Sequence, residues 1–323
     1  PTILTGETCQ VGKNLKENIK YCFDNTNLYN VLKECGYDIE LYTDMNLIPS
    51  ESSGIIDNKI DTKVILDTSS KIKISKLLYE CVLYKYLPHF LKSNFKVDTL
   101  EFDKVNSRNV NRFSIDDVEF NKKLLNSGIQ TNTENKKFKL YHLNGIHTPY
   151  IVNSNIEYDT SKDYLELDED ERRNNQIIAS LDILVNYIEE LKKSNVYDNT
   201  TIIFMADHGW ENRYNINFMI KPAKENSEFK ISHAPLAMTE DLIPTIENIA
   251  SNSKYFGKDI WDYSEGDYRK RDIYNYTFTR GDNTYNVLSK VTVSTEDIAS
   301  DENKYYISNA EYVNSLERPK KMY

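Results

Sequence analysis

Apolar runs and stripes divide the chain into short elements. Ile202 to Ala206 is an unbroken apolar run, the pattern of a strand buried in a parallel sheet. It leads into Asp207-His208-Gly209, where the glycine frees the backbone to turn. Upstream, residues 170–194 place Ile177, Ile178, Leu181, Leu184, Val185, Ile188 and Leu191 at three- and four-residue intervals. That spacing predicts a helix with this face turned inward. Asp198-Asn199-Thr200 makes the turn from helix to strand.

The same rhythm occurs elsewhere. Residues 24–34 predict an amphipathic helix with Leu28, Val31 and Leu32 on its apolar side. Asp24, Asn25 or Thr26 supplies the cap, and Cys35-Gly36 the stop. Tyr37 to Tyr42 alternates and reads as a strand. Phe138 to Leu143 is a second buried-strand candidate with His142 inside it, and Phe218 to Ile220 is a third, shorter one. Residues 239–250 predict a capped helix, 115–125 a short one, and Pro1 to Glu7 the end of one closed by Gly6. Residues 76–92, rich in Tyr and Leu, predict a helix up to Pro88 that covers the sheet. Helices alternating with buried strands indicate an α/β fold. Beyond about residue 270 the period becomes two: 272–279, 284–294 and 304–308 alternate around Gly281-Asp282-Asn283 and Ser300-Asp301-Glu302-Asn303 turns. That is a small C-terminal antiparallel sheet.

Composition narrows the class. Fifty acids against 40 bases give a net charge of −10, which argues against a nucleic-acid partner. No apolar run reaches the roughly 18 residues needed to span a bilayer. The chain begins at Pro1 without Met and reads as a processed or shortened piece, whose targeting or membrane segment is expected upstream. Cys9, Cys22, Cys35 and Cys81 lack the C-x-x-C spacing of a zinc site and read as buried thiols. One N-terminal disulfide stays open for an oxidising compartment.

Four of the five histidines lie at or beside predicted strand ends: His142, His147, His208 and His233. Taken singly, each reads as a core or loop histidine. Together they gain meaning, because parallel strands deliver their carboxyl ends to one edge of a sheet, where α/β proteins bind ligands. Imidazole is a common metal ligand and the usual acid–base group near neutral pH. Asp207 and His208 adjoin at such an end. His89, after Pro88, reads as structural.

These residues occur in a familiar order: His142-Leu-Asn-Gly-Ile-His147-Thr148-Pro-Tyr150, then Asp198-Asn-Thr-Thr-Ile-Ile-Phe-Met-Ala-Asp207-His208-Gly209, then His233-Ala-Pro-Leu236, then Asp241-Leu-Ile-Pro-Thr245. The pattern resembles the sulfatase-like branch of the alkaline phosphatase superfamily. It is most similar to membrane-anchored phosphoethanolamine and phosphoglycerol transferases, including lipoteichoic acid synthases, and it covers most of residues 1–250. The resemblance implies an α/β fold with a central, mostly parallel sheet flanked by helices and a small C-terminal antiparallel sheet. It implies a domain over residues 1–255 that lacks its first strand, and a packed subdomain over 256–323.

It also implies roles. Asp207 and His208 match the metal pair. His142, His147 and His233 match catalytic histidines that hold the transferred group or a second metal, and Thr148 and Tyr150 fall at substrate-binding positions. The implied cofactor is a divalent metal, Zn or Mn for this donor set and Ca for a sulfatase. The implied reaction is attack by an activated hydroxyl on a phosphodiester of a phospholipid or glycan, through a covalent intermediate, on the extracytoplasmic face of the cell membrane. The family's nucleophile precedes a segment that corresponds here to Pro1-Thr-Ile-Leu-Thr-Gly6, so it is expected upstream and stays unassigned. Thr2 and Thr5 read as capping or packing residues. A sulfatase acting on glycan sulfate esters, and a non-catalytic head-group or glycan binder, are the alternatives.

Overall fold

In the computed structural model, the structure describes residues 2–10, 12–43, 47–49, 55–58, 68–92, 116–131, 134–208, 216–279, 284–294 and 307–311. Gly209 and the two C-terminal turns named above lie outside them. The α/β plan is present: helices pack on a parallel strand pair, and a small antiparallel sheet forms the C-terminal end.

Helix α1 (Thr2–Thr5) ends at Gly6, whose φ of +76° and close approach to Ile243 both exclude a side chain. Helix α2 (Leu15–Asn25) opens with a reciprocal capping box between Asn14 and Glu17. The sequence reading missed this helix and gave its last turn to the next one. Asp24 and Asn25 lie inside α2, Thr26 ends it, and α3 (Leu28–Glu34) starts after Asn27 without a side-chain cap. Strand β1 (Tyr37–Tyr42) follows, as the alternation predicts.

Strand β2 (Lys136–Tyr141) pairs with β1 in parallel, Ile39 opposite Phe138 and Leu41 opposite Leu140. One face of this pair enters the main core with Ile19, Phe23, Leu28 and Leu32. The other carries Asp38 and Glu40 against Lys137 and Lys139, and Tyr42 stacked on Tyr141. The outer edge of β1 is occupied by side chains: Ile39 N donates to Asp57, and Leu41 N and O bond Asn58.

Helix α4 (Thr68–Tyr86) is followed after Pro88 by α5 (His89–Lys92). Its expected role as a buried cover does not hold among the described residues. Leu78, Tyr79, Val82, Tyr84, Tyr86 and Phe90 are all exposed. Helix α6 (Asp117–Ser127) is capped by Asp116. After the short α7 (Lys162–Glu166), α8 (Glu169–Lys193) runs with acids in its first turn and lysines in its last, matching its dipole.

The inward face of α8 differs from the predicted one. Gln176, Ala179, Ile183, Glu190 and Leu191 are buried, whereas Ile178, Leu181 and Val185 are exposed. Apolar residues lie on more than one side of this helix, so periodicity establishes the helix without choosing its buried side. Strand β3 (Ile202–Met205) also departs from expectation. It is half-buried, and its partner is the antiparallel β4 (Phe218–Lys221).

Helix α9 (Met238–Ser251) packs on α1 and α3. No N-cap side chain bonds its first turn. Instead Asp241 reaches back to accept from Ala237 N. Strands β5 (Lys270–Thr279), β6 (Thr284–Ser294) and β7 (Ile307–Glu311) form the antiparallel C-terminal sheet in that order. We propose the division at residues 255/256, with Arg269 as the link between the parts. Arg269 donates to Glu240 and to the buried Asp241, and its guanidinium lies over the Tyr263 ring.

Candidate functional site

His142 lies one residue beyond β2 rather than inside it, although its N–H still extends the ladder to Tyr42 O. Its Nδ1 shares a 2.9 Å hydrogen bond with the hydroxyl of Thr43, a fully buried residue 99 positions earlier. With that nitrogen held, Nε2 points to Asp207, 3.9 Å from Oδ2. Asp207 Oδ1 in turn lies 3.7 Å from His208 Nε2. The structure thus gathers His142, Asp207 and His208 where the chain leaves β2 and β3. The Asp207 and His208 side chains are 53% and 77% exposed, so a solute reaches them directly.

The loop from Asn144 to His147 is held from below. Asp117 accepts from Asn144 N and Gly145 N, at 2.7 and 2.8 Å. Burial pushes its carboxyl up to about 6, against the pull of those two N–H groups. Buried Gln176 donates to the carbonyls of Gly145 and His147 and accepts from Val152 N. With its backbone pinned, His147 is exposed, and its Nδ1 bonds the carbonyl of Thr148.

Thr148 is exposed, but Tyr150 is turned inward at 2% exposure, and its hydroxyl has no partner among the described residues. Its ring packs in the interior. His233 is half-buried, and its Nδ1 is enclosed without a hydrogen-bond partner among the described residues. Asp241 fixes the exit of its segment through Ala237 N. Neither His147 nor His233 forms a hydrogen bond or ion pair with the His142–Asp207–His208 group among the described residues.

A family model described as Sulfatase matches residues 23–251, most of the chain and all of these residues. The chain belongs to the sulfatase family. That places this chain in the alkaline phosphatase-like superfamily, and sulfatase-family proteins generally use a divalent metal. No curated protein matches the chain. Among solved structures it is similar to Ps i-CgsB in complex with k-i-k-neocarrahexaose. Identity is 14%, coverage is 85% of this chain and 65% of that one, and the TM-score is 0.39. It is also similar to the lipoteichoic acid synthase LtaP from Listeria monocytogenes, with 12% identity, 89% and 67% coverage and a TM-score of 0.41. The chain spans about two thirds of the length of each.

A carboxylate oxygen beside imidazole nitrogens is a donor set suited to Zn or Mn. Asp207 and His208 fit such an ion as part of a site. No group of three or more His, Cys, Asp or Glu residues placed to hold a metal occurs among the described residues.

Three residues that support the candidate site escaped the sequence reading: Thr43, Asp117 and Gln176. Asp117 had a faint signal, since Asp116 already caps α6 and a second acid is surplus there. Gln176 interrupts an otherwise apolar inward face. Thr43 had none beyond its place at a strand end.

Proposed function

We propose that the protein is a metal-dependent transferase or hydrolase of phosphodiester groups, of phosphoethanolamine or phosphoglycerol type, on cell-envelope lipid or glycan. Its place is the extracytoplasmic face of the cell membrane. No described helix is long and apolar enough to cross a membrane. The supporting observation is the Asp207–His208 pair with His142 beside it: a carboxylate next to an imidazole suits Zn or Mn better than the all-oxygen shell preferred by Ca. A bound divalent ion supplies charge neutralisation and lowers the pKa of an attacking hydroxyl.

Asp207 and His208 would hold the ion. His142, oriented by Thr43, presents Nε2 toward the same place. His147, exposed on its pinned loop, and the enclosed Nδ1 of His233 are assigned to the transferred anionic group. Thr148 is assigned to the substrate. The nucleophile stays unassigned.

The test compares an activated phosphodiester, bis-p-nitrophenyl phosphate, with an aryl sulfate, p-nitrophenyl sulfate, each with Zn, Mn or Ca, on the full-length protein. Phosphodiester turnover with Zn or Mn is expected, falling at least 100-fold in Asp207→Ala together with loss of bound metal. Preferential cleavage of the sulfate with Ca overturns this reading in favour of a glycan sulfatase. Head-group or glycan binding without metal or turnover overturns it in favour of a binding protein.

A further inference from the structure

Cys9 and Cys22 are neighbours at the start of the chain and belong to none of the groups assigned to the candidate site. Cys22 is completely buried on α2, one helical turn beyond Asn18, which is buried to the same degree. Asn18 clamps the loop that follows α1. Its Oδ1 accepts from Gln10 N at 2.6 Å, and its Nδ2 donates to Gln10 O and Lys13 O. Gln10 is thus held on the face of α2 that carries Asn18 and Cys22, which brings Cys9, its neighbour, to Cys22. Cys22 Sγ also contacts Glu7 O at 3.7 Å, so the loop is held on both sides of Cys9. Both cysteines are in the reduced form.

We propose that Cys9 and Cys22 form a disulfide site, with Cys9 as the attacking sulfur and Cys22 as the resolving one. Cys9 is half-exposed and open to an oxidant, whereas Cys22 is sealed from it. Interaction with Cys22 brings the Cys9 thiol down to about 7 and favours its thiolate, while the same neighbour and burial push Cys22 up. The oxidant is a low-molecular-weight or protein disulfide. The Cys9 thiolate attacks one of its sulfurs, the oxidant's S–S bond breaks, and one thiolate leaves and takes up a proton. The sulfur of Cys22 then attacks Cys9 Sγ, the mixed S–S bond breaks, and the proton of Cys22 passes to the second thiolate, which leaves as a thiol. Two protein thiols are oxidised and one external disulfide is reduced to two thiols. The new bond ties the loop after α1 to α2. An extracytoplasmic setting supplies oxidants of this class, but the reaction itself does not depend on the enzymatic reading.

The test treats the protein with oxidised glutathione and digests it with trypsin after alkylating residual thiols. Cleavage after Lys13 and Lys20 separates the two cysteines. The expected product is a Cys9–Cys22 linked peptide pair, two hydrogens lighter than the sum, and a melting temperature about 5 °C higher that dithiothreitol reverses. In Cys22→Ser, Cys9 is expected to stop at a stable glutathione adduct. In the untreated protein, iodoacetamide is expected to label Cys9 at least 10-fold faster than Cys22, a readout that survives if the variant fails to fold. Linkage of either cysteine to Cys35 or Cys81, a persistent glutathione adduct on wild-type Cys9, or equal labelling of Cys9 and Cys22 overturns the proposal.

Discussion

β1 and β3 are short strands that both lead into residues of the site, yet they are supported differently. β1 is sealed: Ile39, Leu41 and Thr43 are fully buried, its inner edge pairs with β2, and Asp57 and Asn58 occupy its outer edge. All four residues of β3 are half-buried, and its partner β4 is equally short. The site therefore has one firm wall and one compliant wall. His142 is aimed by Thr43 on the firm wall, whereas Asp207 and His208 extend into solvent from the other. Hydrophobic composition does not create this difference, since Ile202-Ile203-Phe204-Met205 is the more apolar strand. It comes from how much of the molecule closes over each one.

The largest test of that contrast is a pair of truncations. Leu41→Ala opens a cavity in the main core and is expected to cost about 3 kcal/mol, within the 2–5 usual for such changes. Ile203→Ala, on a half-buried strand, is expected to cost about 1 kcal/mol. Urea unfolding of both variants measures this, and equal losses would break the comparison.

The second test concerns the firm side itself. Glu247 on α9 is buried, and burial raises its carboxyl to about 7 from an ordinary 4.5. The folded state thus binds this proton more tightly than the unfolded chain does. Its contribution is fully present below pH 4.5 and is lost as pH rises through 7. Asp117, raised to about 6, acts in the same sense over a lower window. Glu247→Gln is expected to stabilise the protein by about 2 kcal/mol at pH 8 and to have little effect at pH 4.5. Melting curves at the two pH values check the sign. A variant less stable than wild type at pH 8 would show that the ionised carboxylate has a favourable partner.

The sequence made one half of this architecture more legible than the other. β1, the C-terminal strands and the existence of α8 follow from periodicity, and Asp207-His208 from its place after an apolar run. The supports of the site did not follow. Thr43 reaches His142 across 99 residues, Asp117 and Gln176 act through backbone bonds to a distant loop, and Arg269 meets Asp241 from 28 residues away. Local pattern carries no information about such pairs. It also failed for α2, whose buried stripe includes Asn18 and Cys22 and so lacks a clean apolar face. For β3, an apolar run predicted full burial. The structure encloses it only in part, because burial depends on neighbours that the run does not encode.

The smallest expected effect probes the firm wall most directly. If Thr43 aims His142, removing its hydroxyl while keeping its shape releases the ring without opening a cavity. Thr43→Val should cost about 1 kcal/mol of stability, the value of one hydrogen bond. It should also change the balance of His142 tautomers, because the bond at Nδ1 selects which nitrogen carries the proton. Thr43→Ser, which keeps the hydroxyl, should restore the wild-type balance. Long-range nitrogen–proton spectra of the His142 ring report this independently of activity. An unchanged tautomer balance in Thr43→Val would mean that the ring is held by its surroundings and not by Thr43, and the two walls would then differ in burial alone.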